Sequence, residues 1–384
     1  MCQTFRNFQP TACLKMTINT VYDLAVAGVQ KSIPYKAGKP IEELERELGL
    51  TNIVKLASNE NPLGMGQKAR AAIEAAISDL TLYPDGSGFH LKQALAEKFS
   101  VQADQITLGN GSNELLELVA RAFLTPDCEV IFSQHAFAVY PIVTQAVGAK
   151  AVVLPALNYG HDLQAMLTRV TEKTRVIFIA NPNNPTGTLL AQRDVESFIA
   201  ALPNHVICVL DEAYFEFVSQ SETIDSVSWL KNYPNLVITR TFSKAYGLAG
   251  LRVGYSLSSV EIADLLNRVR QPFNNNSLAL AAAHAALEDV DYLQRTIANN
   301  TAGMAQLTEG FAELNLTWIP SAGNFVSVDL KQDGKAIYDK LLRKGVIVRP
   351  VDVYEMPTFL RISIGTQQEN ATFLNALKDV LADV

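Results

Sequence analysis

The sequence predicts an α/β protein: a large domain on a mostly parallel sheet covered by helices on both faces, followed by a smaller α+β C-terminal domain. Three observations carry this. From about residue 104, short apolar runs alternate with amphipathic segments, the rhythm of strands joined by crossover helices. Runs such as Val176-Ile-Phe-Ile-Ala180 and Val206-Ile-Cys-Val-Leu210 are apolar without alternation, as strands buried on both faces are. After Tyr255 that rhythm gives way to helices with isolated apolar strands. A length of 384 residues suits two domains at roughly 150 residues each.

Taken in order, strands are predicted at Gln105–Gly109, Glu129–Ser133, Ala151–Leu154, Arg175–Ala180, His205–Leu210, Val237–Thr241 and Arg252–Tyr255. Helices fall between them at Ser112–Leu124, Val139–Val147, Leu163–Val170 and Asp194–Leu202. Beyond Tyr255, Glu261–Arg270 and the Ala-rich Leu278–Leu287 read as helices, the latter so apolar that it must be deeply packed or at an interface. Phe325–Leu330, Ala336–Lys344, Val346–Val348, Phe359–Ile364 and Glu369–Leu381 make up the smaller domain. The first forty residues lack a core-forming pattern and read as an arm packed on something else. The expected division is residues 1–50 as arm and part of the small domain, 51–275 as the large domain and 276–384 as the small one.

Composition excludes several classes. Charged residues are only 18% of the chain and hydrophobic ones 48%, so much of each helix is buried. The net charge of −7, with no basic block, argues against a nucleic-acid surface. The longest uncharged stretch, Val130 to Ala149, carries Ser133, Gln134, His135, Pro141 and Gln145 and starts as a strand, so it does not read as a membrane span. No signal-peptide core is visible near the N-terminus, so a cytoplasmic location is expected. Cys2, Cys13, Cys128 and Cys208 include no C-x-x-C pair, and the five histidines are scattered, so no metal site is expected.

Four clusters fall where strands end. Gly109-Asn110-Gly111-Ser112-Asn113 opens a helix, where small residues and free N–H groups favour a phosphate, though such turns are also common without one. Asn181-Pro-Asn-Asn-Pro-Thr-Gly187 follows a strand and is rich in turn residues, with Asn184 placed to point its amide above the sheet. Asp211-Glu212-Ala213-Tyr214 puts a carboxylate at a buried strand end, a costly place unless a cation pairs with it, and one where open α/β sheets bind ligands. In Thr241-Phe-Ser-Lys244-Ala-Tyr-Gly-Leu-Ala-Gly-Leu-Arg252, a lysine among small and hydroxyl residues suits a Schiff-base lysine. Arg349 and Arg361 each end or interrupt an apolar strand, as anion handles or as structural ion pairs.

In this order, N-P-x-N-P-T-G, D-E-A-Y and S-K-x-x-x-L-A-G-x-R resemble the pyridoxal-phosphate-dependent aminotransferases of the aspartate aminotransferase fold. Within them, Ser58-Asn-Glu-Asn-Pro-Leu-Gly64, Tyr83-Pro-Asp-Gly86 and Phe359-Leu-Arg-Ile-Ser-Ile-Gly365 look like the histidinol-phosphate aminotransferase group. The resemblance runs from about residue 16 to the end and leaves the first fifteen residues outside it, so either Met16 is the real start or the extension is specific to this protein. It implies a seven-stranded-type large sheet, and a Schiff base between Lys244 and pyridoxal 5'-phosphate. Asp211 would pair with the pyridinium nitrogen, and Asn184 and Tyr214 would bond the ring's phenolic oxygen. Phe137 would stack on the ring, where relatives often have tyrosine; stacking needs only the ring face. Gly111, Ser112, Asn113, Thr241, Ser243 and Arg252 would hold the phosphate, and Tyr83 would reach it from the second subunit of a homodimer. Tyr35, Asn61, Arg349 and Arg361 would bind substrate.

The reaction so implied is ping-pong transfer of an amino group between histidinol phosphate and 2-oxoglutarate, in histidine biosynthesis. Lys244 would serve as general base and then acid. Rival readings are an aromatic amino-acid aminotransferase and a decarboxylase of a phosphorylated amino acid on the same cofactor. A nicotinamide oxidoreductase built on Gly109–Gly111 lacks the third glycine of the fingerprint and leaves Lys244 unexplained. A regulator's effector domain would need an attached DNA-binding module, for which the chain has no room.

Overall fold

The structure is a computed structural model, and it describes residues 20–32, 34 and 38–382. Tyr35 and Met16 lie outside the described residues. The strands are β1 (Val54–Lys55), β2 (Ile106–Gly109), β3 (Glu129–Ser133), β4 (Lys150–Leu154), β5 (Thr174–Ala180), β6 (Ile207–Asp211), β7 (Leu236–Thr241) and β8 (Gly254–Ser258). They are followed by β9 (Thr317–Ile319), β10 (Phe325–Asp329), β11 (Val346–Ile347), β12 (Arg349–Pro350) and β13 (Phe359–Ser363).

Seven of them form one sheet in the order β2-β8-β7-β6-β5-β3-β4. Only β8 runs against its neighbours; the rest are parallel. The unbroken apolar runs are explained by covering on both faces. On β6, Cys208 and Leu210 face one core, shared with the helices Gln192–Ala201 and Ser277–Leu287. Ile207 and Val209 face the other, shared with Ser112–Phe123, Val139–Ala146 and Val260–Val269. With period 2 and both sides dry, every position must be apolar.

A second, antiparallel sheet has the order β12-β13-β10-β9. It packs on the helices Val290–Glu313, Gly334–Arg343 and Gln367–Ala382 in a core of its own. β1 pairs in parallel with β11 in a separate two-stranded sheet, and the segment that follows β1 is tied to β13 by the Ser363 N–H donating to the Leu56 carbonyl at 2.9 Å. Ala279, Ala282, Ala283 and Ala286 join the core under the seven-stranded sheet, which accounts for the near absence of polar residues in that helix.

Several elements differ from expectation, each for a physical reason. Arg252 is not in a strand: its φ is +59°, a left-handed conformation, and β8 begins two residues later. Asp211 is the last residue of β6 and not the first after it. The 24-residue helix Val290–Glu313 has no counterpart in the expected elements. Its buried positions include Thr296, Asn300 and Gly303 among Tyr292, Leu307 and Phe311, so its apolar stripe is broken by polar and small residues.

Candidate active site

The C-terminal ends of β5, β6 and β7 open into a cavity of about 260 Å³. Its other walls include the segment Ala57–Glu60 after β1, the start of the helix at Ser112, Phe137, and Arg349, Tyr354 and Arg361 from the small sheet side. A crevice at the carboxyl edge of a parallel sheet is where this architecture binds ligands.

Adjacent acids in the D-E-A-Y segment meet opposite fates. Glu212 turns away from the cavity and forms a buried ion pair with Arg240 at 2.7 Å, and that guanidinium lies 3.6 Å from the Phe215 ring centroid. Asp211 lines the cavity, is 4% exposed and makes no ion pair among the described residues. Its oxygens instead accept from hydroxyls: Tyr140 Oη donates to Oδ2 at 2.9 Å and Thr239 Oγ1 to Oδ1 at 3.1 Å. Burial pushes the Asp211 carboxyl up to about 6, against the pull of those two bonds. A buried carboxylate in a cavity wall that lacks a cation is a receptor for one.

Lys244 also lines the cavity, with Nζ donating to the Ser58 carbonyl at 3.2 Å. Burial, then the charge of Arg361, brings its amine down to about 8. An amine so placed is neutral often enough near neutral pH to be a nucleophile and a proton acceptor. Tyr214 Oη receives two amide donors, Asn59 Nδ2 at 2.9 Å and Asn184 Nδ2 at 3.2 Å. Its own proton is therefore available to a third oxygen. Burial raises that phenol to about 12, so Tyr214 remains a donor.

The third constellation is an anion cradle. The helix Ser112–Phe123 starts at Gly111, whose φ is +78°. A Cβ on Gly111 would stand 2.3 Å from Arg252 Nη2, and one on Gly254 would stand 2.7 Å from the Ser112 backbone nitrogen. Both glycines are needed for this close approach. Arg252 Nη1 donates to Ser243 Oγ at 3.2 Å and to the Ala249 carbonyl at 3.0 Å. Thr241 Oγ1 donates to Ser243 Oγ at 3.0 Å. With the side chains of Ser112 and Asn113 on the same cavity wall, free N–H groups, hydroxyls and one guanidinium converge as a phosphate requires.

Arg349 and Arg361 stand directly opposite each other in the β12–β13 register, so their side chains share one face of the sheet. Two guanidinium forks on one face can grip an anion from two sides. Arg361 is aimed by Nη1 to Asn184 Oδ1 at 2.6 Å and Nη2 to the Ala57 carbonyl at 2.8 Å.

The cavity thus gathers Ser112, Asn113, Phe137, Asn184, Asp211, Tyr214, Thr241, Ser243, Lys244, Arg252, Arg349 and Arg361. Gly111 sits just behind it. Asn61 is beside the cavity but off its wall: Nδ2 donates to the Ala245 carbonyl at 3.0 Å and to Thr296 Oγ1 at 3.1 Å, bracing the lysine loop. Tyr83 is 83% exposed and stacks on Phe273 at 4.8 Å, away from its own chain's cavity. The residues not foreseen are Ser58, Asn59, Tyr140, Thr239 and Tyr354. For Asn59 the S-N-E-N-P motif was a signal, since an asparagine before a turn tolerates the φ of +53° seen there. Tyr140 and Thr239 carried none, because each reaches Asp211 through tertiary packing.

This fold, with a half-buried lysine, an acid without an ion pair and an anion cradle at one sheet edge, defines an aminotransferase-type site. Residues 51–377 match the family described as aminotransferase class I and II, and the chain belongs to that family. It is 60% identical over 361 residues to histidinol-phosphate aminotransferase 2 of Pseudomonas fluorescens Pf-5, covering 94% of this chain and 98% of that protein. It is 56% identical over 356 residues to histidinol-phosphate aminotransferase 1 of Idiomarina loihiensis, covering 93% and 97%. Among solved structures, that of the Sinorhizobium meliloti histidinol-phosphate aminotransferase in complex with pyridoxal-5'-phosphate superposes with a TM-score of 0.86 at 31% identity, covering 93% of this chain and 97% of that one. No helix among the described residues is long and apolar enough to cross a membrane.

Proposed function

We propose that this protein is a pyridoxal-phosphate-dependent transaminase that moves the amino group between L-histidinol phosphate and 2-oxoglutarate, a step of histidine biosynthesis. One observation carries the reading: Lys244, Asp211 and the Arg252 cradle share a single cavity with the opposed pair Arg349 and Arg361. The residues fit the cofactor. Asp211 supplies the anion for a protonated ring nitrogen, Tyr214 and Asn184 are set for the phenolic oxygen, and Phe137 presents a ring face to the cavity. The cradle from Gly111 to Arg252 suits the phosphate.

When bound, pyridoxal phosphate supplies the electron sink and the carrier for the amino group. The protein's part is positioning and proton movement. Lys244 takes the proton from the substrate Cα as base and returns a proton as acid. Tyr214 donates its hydrogen bond to the phenolic oxygen with its own oxygen fixed by two asparagines. Arg349 and Arg361 take the substrate phosphate in one half-reaction and a carboxylate of glutamate in the other, since guanidinium forks suit either anion. Alternate half-reactions at one site give ping-pong kinetics.

The same proposal includes a homodimer in which Tyr83 reaches the phosphate of the facing subunit, and a cytoplasmic location. It also divides the chain into arm, large and small domains at residues 50 and 275, with the alanine-rich helix lent to the large core. The test is kcat/KM for histidinol phosphate, phenylalanine and tyrosine, each with 2-oxoglutarate. A preference for histidinol phosphate is expected; a preference for phenylalanine would make the protein an aromatic aminotransferase. Carbon dioxide release without need for a 2-oxo acid would make it a decarboxylase.

A further inference from the structure

Asp211 presents a chemical problem that its own motif does not solve. A carboxylate this buried drifts toward its neutral form, and a neutral acid cannot hold a ring nitrogen in its protonated state. Two hydroxyls meet it. Thr239 is the Cα partner of Asp211 in the parallel β6–β7 register, so the two side chains share one face of the sheet and Oγ1 reaches Oδ1 at 3.1 Å. Tyr140 comes from the helix Val139–Ala146 and reaches Oδ2 at 2.9 Å.

Tyr140 is held to this task. Its ring is fully buried, stacked on Phe178 at 4.6 Å and 6°, and meets Phe137 edge-on at 5.9 Å. Phe137 is itself a cavity wall, so one side chain braces both the carboxylate and the ring face beside it. Burial and the charge of Asp211 hold the phenol well above its ordinary range; Tyr140 therefore keeps its proton and is a permanent donor. Neither hydroxyl faces the cavity, so neither is a catalytic residue.

We propose that Tyr140 and Thr239 are positioning residues that hold Asp211, through a hydroxyl at each oxygen, as the anionic partner of the cofactor's ring nitrogen. This rests on the pyridoxal-phosphate reading above. Losing either donor raises the energy of the carboxylate and shifts the shared proton from ring nitrogen to Asp211. The ring becomes a poorer electron acceptor, so kcat falls while substrate binding, set elsewhere in the cavity, is little changed.

The test uses Tyr140→Phe and the near-isosteric Thr239→Val in the holoenzyme carrying pyridoxal phosphate labelled at the ring nitrogen. Nuclear magnetic resonance of that nitrogen reads where the proton sits. Expected are a displacement from the protonated toward the neutral ring position, a rise in the pH at which the bound cofactor's visible band changes, and a kcat lower by about tenfold in Tyr140→Phe with KM held within about twofold. A role in packing alone would lower thermal stability and leave resonance and pH midpoint at wild-type values; that result overturns the proposal. Should Tyr140→Phe not fold, Thr239→Val decides on the same two readouts. If wild-type protein takes up no pyridoxal phosphate, or its ring nitrogen is neutral throughout, the cofactor reading or the Asp211 pairing fails first, and the two failures are distinguishable.

Discussion

Asp211, buried with hydroxyl donors and no cation beside it, makes the cofactor-free protein less stable than it would otherwise be. Its folded value of about 6 lies above the ordinary 3.8. The stability it contributes is therefore fully present below about pH 4 and is lost as pH rises through about 6. Asp211→Asn, of the same shape but neutral, should stabilise the cofactor-free protein by about 1–3 kcal/mol near neutral pH and by little at pH 4. Urea melting at the two pH values measures this, and the same variant should lose most of its transaminase activity. Equal stability changes at both would mean that burial of charge is not the cause. For Lys244 the sign runs the other way. An amine brought down to about 8 is neutral above that pH, so the rate of pyridoxal phosphate uptake by the cofactor-free protein should rise through about pH 8 and then level off. A rate still climbing near 10.5 would indicate an ordinary, solvated lysine.

At the scale of elements, the cradle depends on two glycines that let the end of the β7–β8 connection meet the helix starting at Ser112. Gly111→Ala places a Cβ on the Arg252 guanidinium, at a φ that alanine disfavours. It should weaken pyridoxal phosphate binding by about tenfold or more, measured as a dissociation constant, and the backbone strain should also lower the stability of the cofactor-free protein by about 1–3 kcal/mol in urea melting. Much at this scale was legible beforehand. Strands buried on both faces announce themselves as unbroken apolar runs, and the residues at their C-terminal ends follow from the motifs. What was hidden depends on pairing across the chain. The facing of Arg349 and Arg361 appears only once β12 and β13 are in register. The hydroxyls on Asp211 come from residues 71 and 28 positions away in sequence. The long helix Val290–Glu313 escaped because Thr296, Asn300 and Gly303 interrupt its buried stripe.

On the scale of the whole molecule, the low charge of 18% reflects a sheet covered on both faces and a second core; of the buried charges, Asp211 and Arg361 line the cavity while Glu212 and Arg240 pair away from it. The exposed stack of Tyr83 on Phe273 belongs, in the proposed homodimer, to the facing subunit's site. Mixing subunits carrying Tyr83→Ala with subunits carrying Lys244→Ala should then restore activity to about a quarter of wild type, since half the dimers are mixed and each holds one intact site. No recovery above either parent would mean that each site is built from one chain. The central claim is that Lys244 binds pyridoxal phosphate at the edge of this sheet, and borohydride reduction of the loaded protein followed by mass spectrometry of its peptides tests it most directly. The predicted result is a single cofactor-sized mass increase on the peptide containing Lys244, absent from Lys244→Ala; a label on another lysine, or one that persists in that variant, would contradict it.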